Sequence, residues 1–430
     1  QRQMCIRDRF NNSISQNHAI SFSTGTEKAS YYTSLSIMND PGWTKKSEVQ
    51  RYTANVNALY HISKALSLNL ISNASYRKQK APGTLSSSVD PVSGEVKRDF
   101  DINPYSYALN TSRTLDPDAY YVRNYAPFNI LHELDNNYID LNVTDLKFQG
   151  ELKWKPIHKI ELSALGAYKT SMTTQSHTIK DYSNQAWAFR AMDDATMRQA
   201  NPWLYTDPEN ANTLPVSVLP VGGFYRETKY SMDSYDFRGT ASYNDVYNEN
   251  HIFNFFGGME INAVNRQRTW FNGVGMQYEM GMLPAYEYQY FKQGSEENAQ
   301  YYTVERTRQR EVSFFGTATY SYQGKYTLNG TLRYEGSNKL GKSRSARWLP
   351  TWNLSAAWNA HEEKFWQPLL DYVSNMTLKA SYSLTADRGP ASASNSRAII
   401  QSYNAWRPFT SIKESGLRVV NIENQELTYE

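Results

Sequence analysis

The sequence predicts an all-β fold, an antiparallel transmembrane β-barrel, on three observations. Apolar and polar residues alternate with period two along about twelve segments, the pattern of strands with one apolar and one polar face. The connections between these segments are short and long in turn, as in a barrel with short periplasmic turns and long extracellular loops. Aromatic residues make up 14% of the 430 residues. Mean hydropathy is only -0.68, and we find no run of ~18 apolar residues that could form a spanning helix.

Each predicted strand is a stripe in which every second residue is apolar. In the segment 52–62, for example, Tyr, Ala, Val, Ala, Tyr and Ile alternate with Thr, Asn, Asn, Leu and His. The predicted strands are 18–24, 31–38, 52–62, 66–76, 146–154, 160–168, 235–243, 253–263, 314–322, 326–334, 348–358 and 376–384. A further short strand is predicted near 398–403.

The long connections are predicted at about 80–137, 176–229, 267–301 and 387–426, and residues 10–430 are predicted to form one barrel domain. A soluble β-sandwich gives no reason for loop lengths to alternate along the chain, so this sorting favours a membrane barrel. Outer-membrane transporters of about 22 strands are known. We therefore expect the chain to supply part of a barrel, about 12 of about 22 strands.

The alternation also predicts which face each side chain occupies. Six apolar residues are expected to face outward: Tyr52, Val56, Leu152, Leu162, Phe237 and Phe255. Five charged residues are expected to face the lumen: Arg51, Lys153, Glu161, Asp236 and Arg238. Aromatic residues beside the short turns are expected to form an interfacial girdle, namely Tyr60, Trp154, Tyr243, Tyr322 and Trp358. A secreted carbohydrate-binding or glycosidase β-domain is the alternative, and a compact sandwich that buries the first set would favour it.

One run of eight residues matches a nucleotide-binding formula. Residues 336–343, GSNKLGKS, fit the P-loop pattern G-x-x-x-x-G-K-[ST]. A P-loop must open a helix, because the phosphate binds at a helix N-terminus. Here Pro350 and a second alternating strand follow instead. We therefore interpret the run as the polar tip of a β-hairpin between strands 326–334 and 348–358.

The sequence predicts no catalytic, cofactor-binding or metal site. The seven histidines show neither H-x-x-x-H nor H-E-x-x-H spacing, and Cys5 is the single cysteine, so neither zinc nor a disulfide is expected. Residues 1–9, QRQMCIRDR, resemble a translated sequencing-adapter remnant and are left out of the fold prediction. A net charge of +3 argues against a nucleic-acid partner.

Aromatic residues in the predicted extracellular loops are the candidates for substrate contact, because their faces could stack on sugar rings or peptide side chains. They are Tyr105, Tyr120, Tyr121, Trp187, Trp203 and Tyr205. The competing interpretation, which we favour, is that these rings pack the loops against each other or against a partner that covers the barrel.

The hairpin at 326–358 resembles one of a known family. Residues 332–341, LRYEGSNKLG, resemble the R-x-D-G-S-S-R-F-G hairpin of SusC/RagA-type TonB-dependent outer-membrane transporters. Further segments are similar to strings of that family and follow its order: 23–32 STGTEKASYY, 348–358 WLPTWNLSAAW, 362–365 EEKF, 378–383 LKASYS and 424–430 NQELTYE. The departures, such as Glu335 for Asp and Ser383 for Gly, are conservative.

The resemblance implies a barrel of about 22 strands with an N-terminal plug and a TonB box, in the outer membrane of Bacteroidota. It also implies a SusD-like surface lipoprotein over the extracellular mouth. The family imports oligosaccharides or peptides, energised through TonB, and the resemblance implies neither enzyme activity nor a cofactor. A siderophore or cobalamin receptor is the alternative within the same class.

On this mapping the chain is expected to be an internal piece of the barrel, without plug, TonB box, signal peptide or closing strands. We expect such a piece neither to insert nor to transport alone, since open sheet edges are not tolerated in lipid. The sequence does not identify the substrate.

Overall fold

One antiparallel sheet dominates the structure, a computed structural model that describes residues 11, 13–83, 88–89, 96–97, 100–112, 116–210, 212–297, 299–339, 347–385, 398–404 and 415–422. Twelve strands lie side by side in the sheet in chain order, and each is hydrogen-bonded to its neighbours in this order. They are β1 Gln16–Gly25, β2 Ala29–Asp40, β3 Glu48–His61, β4 Leu66–Pro82, β9 Asn137–Ile157, β10 Ile160–Ile179, β11 Gly223–Tyr247, β12 His251–Gln277, β14 Tyr302–Tyr322, β15 Tyr326–Ser337, β16 Trp348–Asn359 and β17 Thr377–Leu384.

The remaining strands are short and lie in the long connections. They are β5 Ser88–Val89 paired with β6 Val96–Lys97, β7 Tyr121–Arg123 paired with β8 Ala126–Phe128, β13 Leu283–Pro284 paired with β12, and β18 Ile399–Asn404 paired with β19 Ser415–Asn421. The large sheet of 12 to 13 strands confirms the predicted fold class, and β18 matches the short strand predicted near 398–403.

The strands extend farther than the alternation predicted. Strands β11 and β12 are 25 and 27 residues long, against nine and eleven in the predicted stripes. Beyond the stripes both faces of the strands carry polar side chains, as in 173–176, TTQS, so the alternation stops although the backbone pairing continues. The connections between paired strands are therefore 83–136, 180–222 and 278–301, shorter than the expected loops.

The hairpin expected around the P-loop-like run is present. Strands β15 and β16 pair antiparallel, from Tyr326 opposite Trp358 to Gly336 opposite Trp348. Residues 340–346, which include the last four residues of the run, lie outside the described residues. So do residues 1–10, including Cys5, and much of the expected loop 387–426 apart from β18 and β19.

Among the residues that the structure describes, five short α-helices lie in the long connections: α1 Pro104–Asn110, α2 Ile130–Asn136, α3 Asn184–Ala188, α4 Ala195–Ala200 and α5 Tyr288–Glu296. Two 3-10 turns, Ala360–Glu362 and Lys364–Leu369, follow β16. Within the described residues, no helix has both the length and the apolar character needed to cross a membrane.

Two glycines, one in a crowded position and one in an open position, test how closely neighbouring strands approach. A Cβ at Gly258 of β12 would clash with the backbone carbonyl oxygen of Gly239 in β11, whereas one at Gly166 of β10 meets nothing within 4 Å. We expect Gly258→Ala to lower the free energy of unfolding by roughly 1–3 kcal/mol, because the backbone must move. Gly166→Ala should leave it unchanged or raise it slightly. Urea unfolding followed by tryptophan fluorescence measures the free energy of unfolding of both variants. Equal losses of stability in the two variants would contradict the close approach of β11 and β12.

Candidate functional site: two sheet faces and a loop cluster

The sheet has two chemically different faces. On one, which we call the apolar face, large side chains remain exposed: Tyr52, Val56, Leu152, Phe237 and Phe255 are each 40–46% exposed. Leu162 lies on the same face, since it pairs with Ala241, two positions from Gly239 and four from Phe237. A compact sandwich would bury these residues. Their exposure agrees with the outward positions predicted for them and argues against the sandwich.

The apolar face has the height expected of a bilayer-spanning band. Its apolar positions run from Val312 to Tyr322 on β14 and from Phe253 to Ala263 on β12, eleven residues in each case. Eleven strand residues span ~34 Å along the strand, and a tilt of ~40–45° reduces this to ~25 Å along a barrel axis. Outer-membrane barrels have an outward apolar band of about 25 Å.

Aromatic residues flank this band at both ends. At the end of the long connections, Tyr334 and Trp348 stack with ring centres 5.0 Å apart, and Tyr168 and Tyr235 lie 5.1 Å apart. At the end of the short turns, the Tyr326 hydroxyl donates to Glu363 Oε1 (2.5 Å). The residues predicted as girdle aromatics lie near this second end: Tyr60, Trp154, Tyr243, Tyr322 and Trp358. Two aromatic rows around an apolar band are typical of interfacial girdles.

The opposite face, which we call the polar face, carries a hydrogen-bonded lattice of polar side chains. Asn73 Nδ2 donates to Asn55 Oδ1 (2.7 Å), and Asn55 Nδ2 donates to Ser34 Oγ (3.2 Å), so one chain of bonds crosses three strands. The predicted lumen residues occupy this face: Arg51, Lys153, Glu161, Asp236 and Arg238. Arg238 pairs with Glu260 at 3.1 Å. Such a face is suited to a water-filled or plugged interior.

The most deeply buried side chains lie between the long connections, at one end of the sheet. We call residues 100–136, 180–222 and 278–301 the loop cluster. One apolar group consists of Ile102, Phe128, Ile130 and Leu134. In a second, Ala186 and Leu219 of the loop cluster pack with Ile179 and Phe224 at the adjoining ends of β10 and β11. Phe100, Ala126 and Ala188 form a third group. The long connections therefore pack as a folded cap with its own core.

Asn184, at the start of α3, joins the first two connections of the loop cluster. Its side-chain amide donates to the carbonyl oxygens of Arg123 (2.7 Å), Ala126 (3.1 Å) and Pro127 (3.0 Å). Its backbone N–H donates to Oε1 of Glu133 (2.8 Å), a fully buried carboxyl on α2. Burial raises the pKa of Glu133 to about 7, although the Asn184 N–H and the Arg123 charge oppose the shift.

The third connection is attached by polar contacts. Lys292 of α5 binds Asp207 at 2.6 Å, and the Tyr205 hydroxyl donates to Glu296 Oε2 (2.7 Å). Burial, together with this bond, raises the pKa of Tyr205 to about 12. The Tyr278 N–H donates to Oδ2 of Asp181 (2.9 Å). All three long connections are thus linked to one another.

The six predicted substrate-contact residues divide into two groups. Trp203 packs against Phe100, with ring centres 4.8 Å apart, Trp187 stacks flat on His132 at 5.6 Å, and Tyr205 is buried. Tyr105, Tyr120 and Tyr121 are 47%, 52% and 40% exposed. The first group therefore packs the loops. The second group also contacts other rings, namely Trp43 beside Tyr105, His132 beside Tyr120 and Phe128 beside Tyr121, but it presents ring surface to solvent as well.

Sequence reasoning did not identify the polar residues that organise the loop cluster, such as Glu133, Asn184 and Arg190. Arg190 donates to the carbonyl oxygens of Leu219 and Asp181, each at 2.9 Å. One local pattern was available: Asn103 followed by Pro104 marks a helix start, and Asn103 Oδ1 accepts the Ser106 N–H (3.0 Å). In the part of the chain that the structure describes, no group of three His, Cys, Asp or Glu side chains could hold a metal ion.

Two curated proteins to which the chain is similar are both TonB-dependent receptors. The chain is 23% identical over 376 residues to a TonB-dependent receptor of Formosa agariphila, covering 86% of the chain and 30% of that protein. It is 22% identical over 391 residues to the TonB-dependent receptor SusC of Bacteroides thetaiotaomicron, covering 88% of the chain and 34% of SusC. No protein-family model matches the chain. The chain thus spans about a third of the length of these curated relatives.

Solved structures give the same fold. The RagAB peptide transporter superposes on 99% of the chain and 42% of its own, with a TM-score of 0.69 and 16% identity. The RagAB peptide importer in its closed-closed state gives 0.68 over 96% of the chain and 41% of its own, at 18% identity. The resemblance to SusC/RagA-type TonB-dependent transporters is confirmed, and the sheet has the fold of their barrel.

Because the carboxyl of Glu133 is buried and its pKa is raised, we predict that the stability of the loop cluster depends on pH. Because the folded pKa is raised from 4.5 to about 7, the protonated carboxyl stabilises the cluster fully below pH 4.5. That contribution is lost as the pH rises through 7. Glu133→Gln keeps an acceptor for the Asn184 N–H without a charge, so its cluster should not weaken over this range.

Hydrogen exchange of the α2 and α3 amides between pH 4.5 and 8, corrected for the intrinsic pH dependence of exchange, measures this effect. Glu287→Gln, a change outside the Glu133–Asn184 contact, is the control. If Glu133→Gln keeps the pH dependence of the unmodified protein, another group is responsible.

Proposed function

We propose that the chain forms the central part of the barrel of a SusC/RagA-type TonB-dependent outer-membrane importer, and that it performs no catalysis. The observation that carries the proposal is the ~25 Å apolar band, flanked by aromatic rows and backed by a lattice of polar side chains. The curated relatives are TonB-dependent receptors by name, and the similar structures are those of the RagAB peptide transporter.

The orientation follows from the loop lengths. The long connections that form the loop cluster lie on the extracellular side, and the short turns lie in the periplasm. A folded cap with its own core suits the extracellular side, because it can hold a binding surface over the pore without support from lipid. The polar face then lines the barrel interior.

The partners of the whole receptor are part of the same proposal. A plug inside the barrel, contact with TonB, and a SusD-like lipoprotein over the loop cluster belong to the receptor of which the chain is one part. The similarity to SusC and to the RagAB transporter supports a partner of this kind.

The transported substrate is an oligosaccharide or a peptide. Tyr105, Tyr120 and Tyr121 are its contacts within this chain, since their rings are exposed on a rigid cap and aromatic faces bind both sugars and apolar side chains. Trp187, Trp203 and Tyr205 position the cap. A siderophore or cobalamin receptor would have a similar barrel, but the motif resemblance and the curated relatives favour the SusC/RagA kind.

Adjacent residues on the two faces of β16 test the membrane location. Leu354 lies on the apolar face near the middle of the band, and Asn353 lies on the polar face. We expect Leu354→Arg in the intact receptor to destabilise the inserted barrel by about 2–4 kcal/mol, because arginine would face hydrocarbon. Asn353→Arg should have little effect. Heat-modifiable migration and urea unfolding of the outer-membrane fraction measure this, and equal tolerance of both changes would contradict a lipid-facing Leu354.

The exposed tyrosines test substrate contact. We expect Tyr120→Ala and Tyr121→Ala to raise the half-saturation concentration for uptake roughly 3- to 10-fold, the loss of one aromatic contact. A labelled glucose heptasaccharide and a labelled octapeptide serve as probes in cells that carry the receptor. Tyr286→Ala, at an 82% exposed ring in the third connection, is the control. An effect at Tyr286 without one at Tyr120 or Tyr121 would place the contact elsewhere.

A further inference from the structure

Three arginines lie at alternate positions of β14, directly beyond the apolar band. Arg306, Arg308 and Arg310 are all exposed. Two contacts place them on the apolar face: Arg306 Nε donates to Gln267 Oε1 (3.1 Å), and Arg310 Nη2 donates to Asn265 Oδ1 (2.7 Å). The preceding residue, Glu305, faces the other way, where it pairs with Arg268 at 3.1 Å. We call these three side chains the arginine row.

The arginine row lies at the height of lipid head groups. Val312 lies at the end of the apolar band on β14. Arg310, two residues before Val312 in the sequence, lies ~5 Å beyond the band along the barrel axis for a strand tilted by ~40°. Arg306 lies ~16 Å beyond Val312 by the same geometry. The stacked pair Tyr334 and Trp348 marks the interface on the next two strands.

The carboxylates near the row have other partners. Asp233, an outward acid of β11, accepts the Tyr168 hydroxyl (2.9 Å), and Glu227 of the same strand pairs with Lys229 at 2.8 Å. Within the described residues, Arg306 and Arg310 donate to neutral oxygens, and Arg308 has no side-chain partner. At the short-turn end, by contrast, three lysines each pair with a carboxylate within 3.0 Å: Lys155, Lys159 and Lys325.

We propose that the arginine row binds the phosphate groups of an outer-leaflet lipid. Guanidinium groups bind phosphate oxygens in pairs with matched geometry, and cations just beyond a hydrocarbon band are attracted to anionic head groups. A transported substrate would meet the polar face and the loop cluster, so the outward face at this height meets lipid. This inference rests on the proposed function, because it requires the apolar face to lie in the outer membrane.

The test uses the intact receptor in detergent micelles, titrated with diphosphorylated lipid A and followed by native mass spectrometry. The triple variant R306Q/R308Q/R310Q should bind the lipid about 100-fold more weakly, roughly fivefold for each arginine. The variant R238Q/R266Q/R333Q removes the same charge from the polar face and should stay within about twofold of the unmodified receptor. The variant R306K/R308K/R310K, which keeps the charge but loses the paired geometry, should lie between the two.

Inorganic phosphate at the same concentration distinguishes a lipid site from a site for free phosphate. Displacement of the lipid by equimolar phosphate would overturn the lipid assignment, and an unchanged lipid affinity in R306Q/R308Q/R310Q would overturn the site. If that variant does not fold, the R306K/R308K/R310K variant and the loss of lipid affinity with added salt decide the question. Heat-modifiable migration is measured first: a receptor that never inserts contradicts the proposed function, whereas an inserted receptor without phosphate preference contradicts the arginine row alone.

Discussion

The whole structure depends on one hydrogen-bond ladder that runs in chain order from β1 to β17. Each strand between these two is paired on both sides, so its backbone polar groups are satisfied by the sheet itself. The side chains are therefore free to form two faces that share no core. In lipid an unpaired backbone group costs several kcal/mol, and a paired sheet is one of the few backbones that can cross it. The exposed apolar face and the polar face both follow from this division of roles.

Because the sheet buries no face within the chain, the deepest burial occurs elsewhere, in the loop cluster. Glu133 and Asn184, which are 51 residues apart in sequence, illustrate this burial. Their carboxyl and amide groups join the first two long connections inside the cap. Buried polar groups need partners in fixed geometry, so these bonds fix the arrangement of long connections whose helices and strands are short. The cap is rigid for the reason that a small globular domain is rigid, and it can hold exposed rings such as Tyr120 in place.

The sequence predicted the part of the fold that a local pattern encodes. Phe237 and Arg238 alternate because their surroundings alternate, so their faces could be predicted. Threonines 173 and 174 are polar on both faces, so the upper part of β10 could not be recognised as strand, although its pairing continues to Ile179. Glu133 resembles any charged residue on a surface helix, and its burial arises from distant segments that no local pattern reports. Phe256 and Phe315 break the alternation, since they lie on the polar face with ring centres 5.8 Å apart.

Position along a strand therefore matters as much as the face on which a residue lies. On β14 the same face carries Arg306 to Arg310, then Val312 and Phe314, and finally Tyr320 and Tyr322 beside the short turn. One alternating series thus passes from cations to aliphatic and aromatic side chains without a change of face. A soluble sheet has no reason to order its outward residues in this way, because water surrounds every level equally. A bilayer gives such a reason, since charged head groups, hydrocarbon and the opposite interface follow each other within ~40 Å.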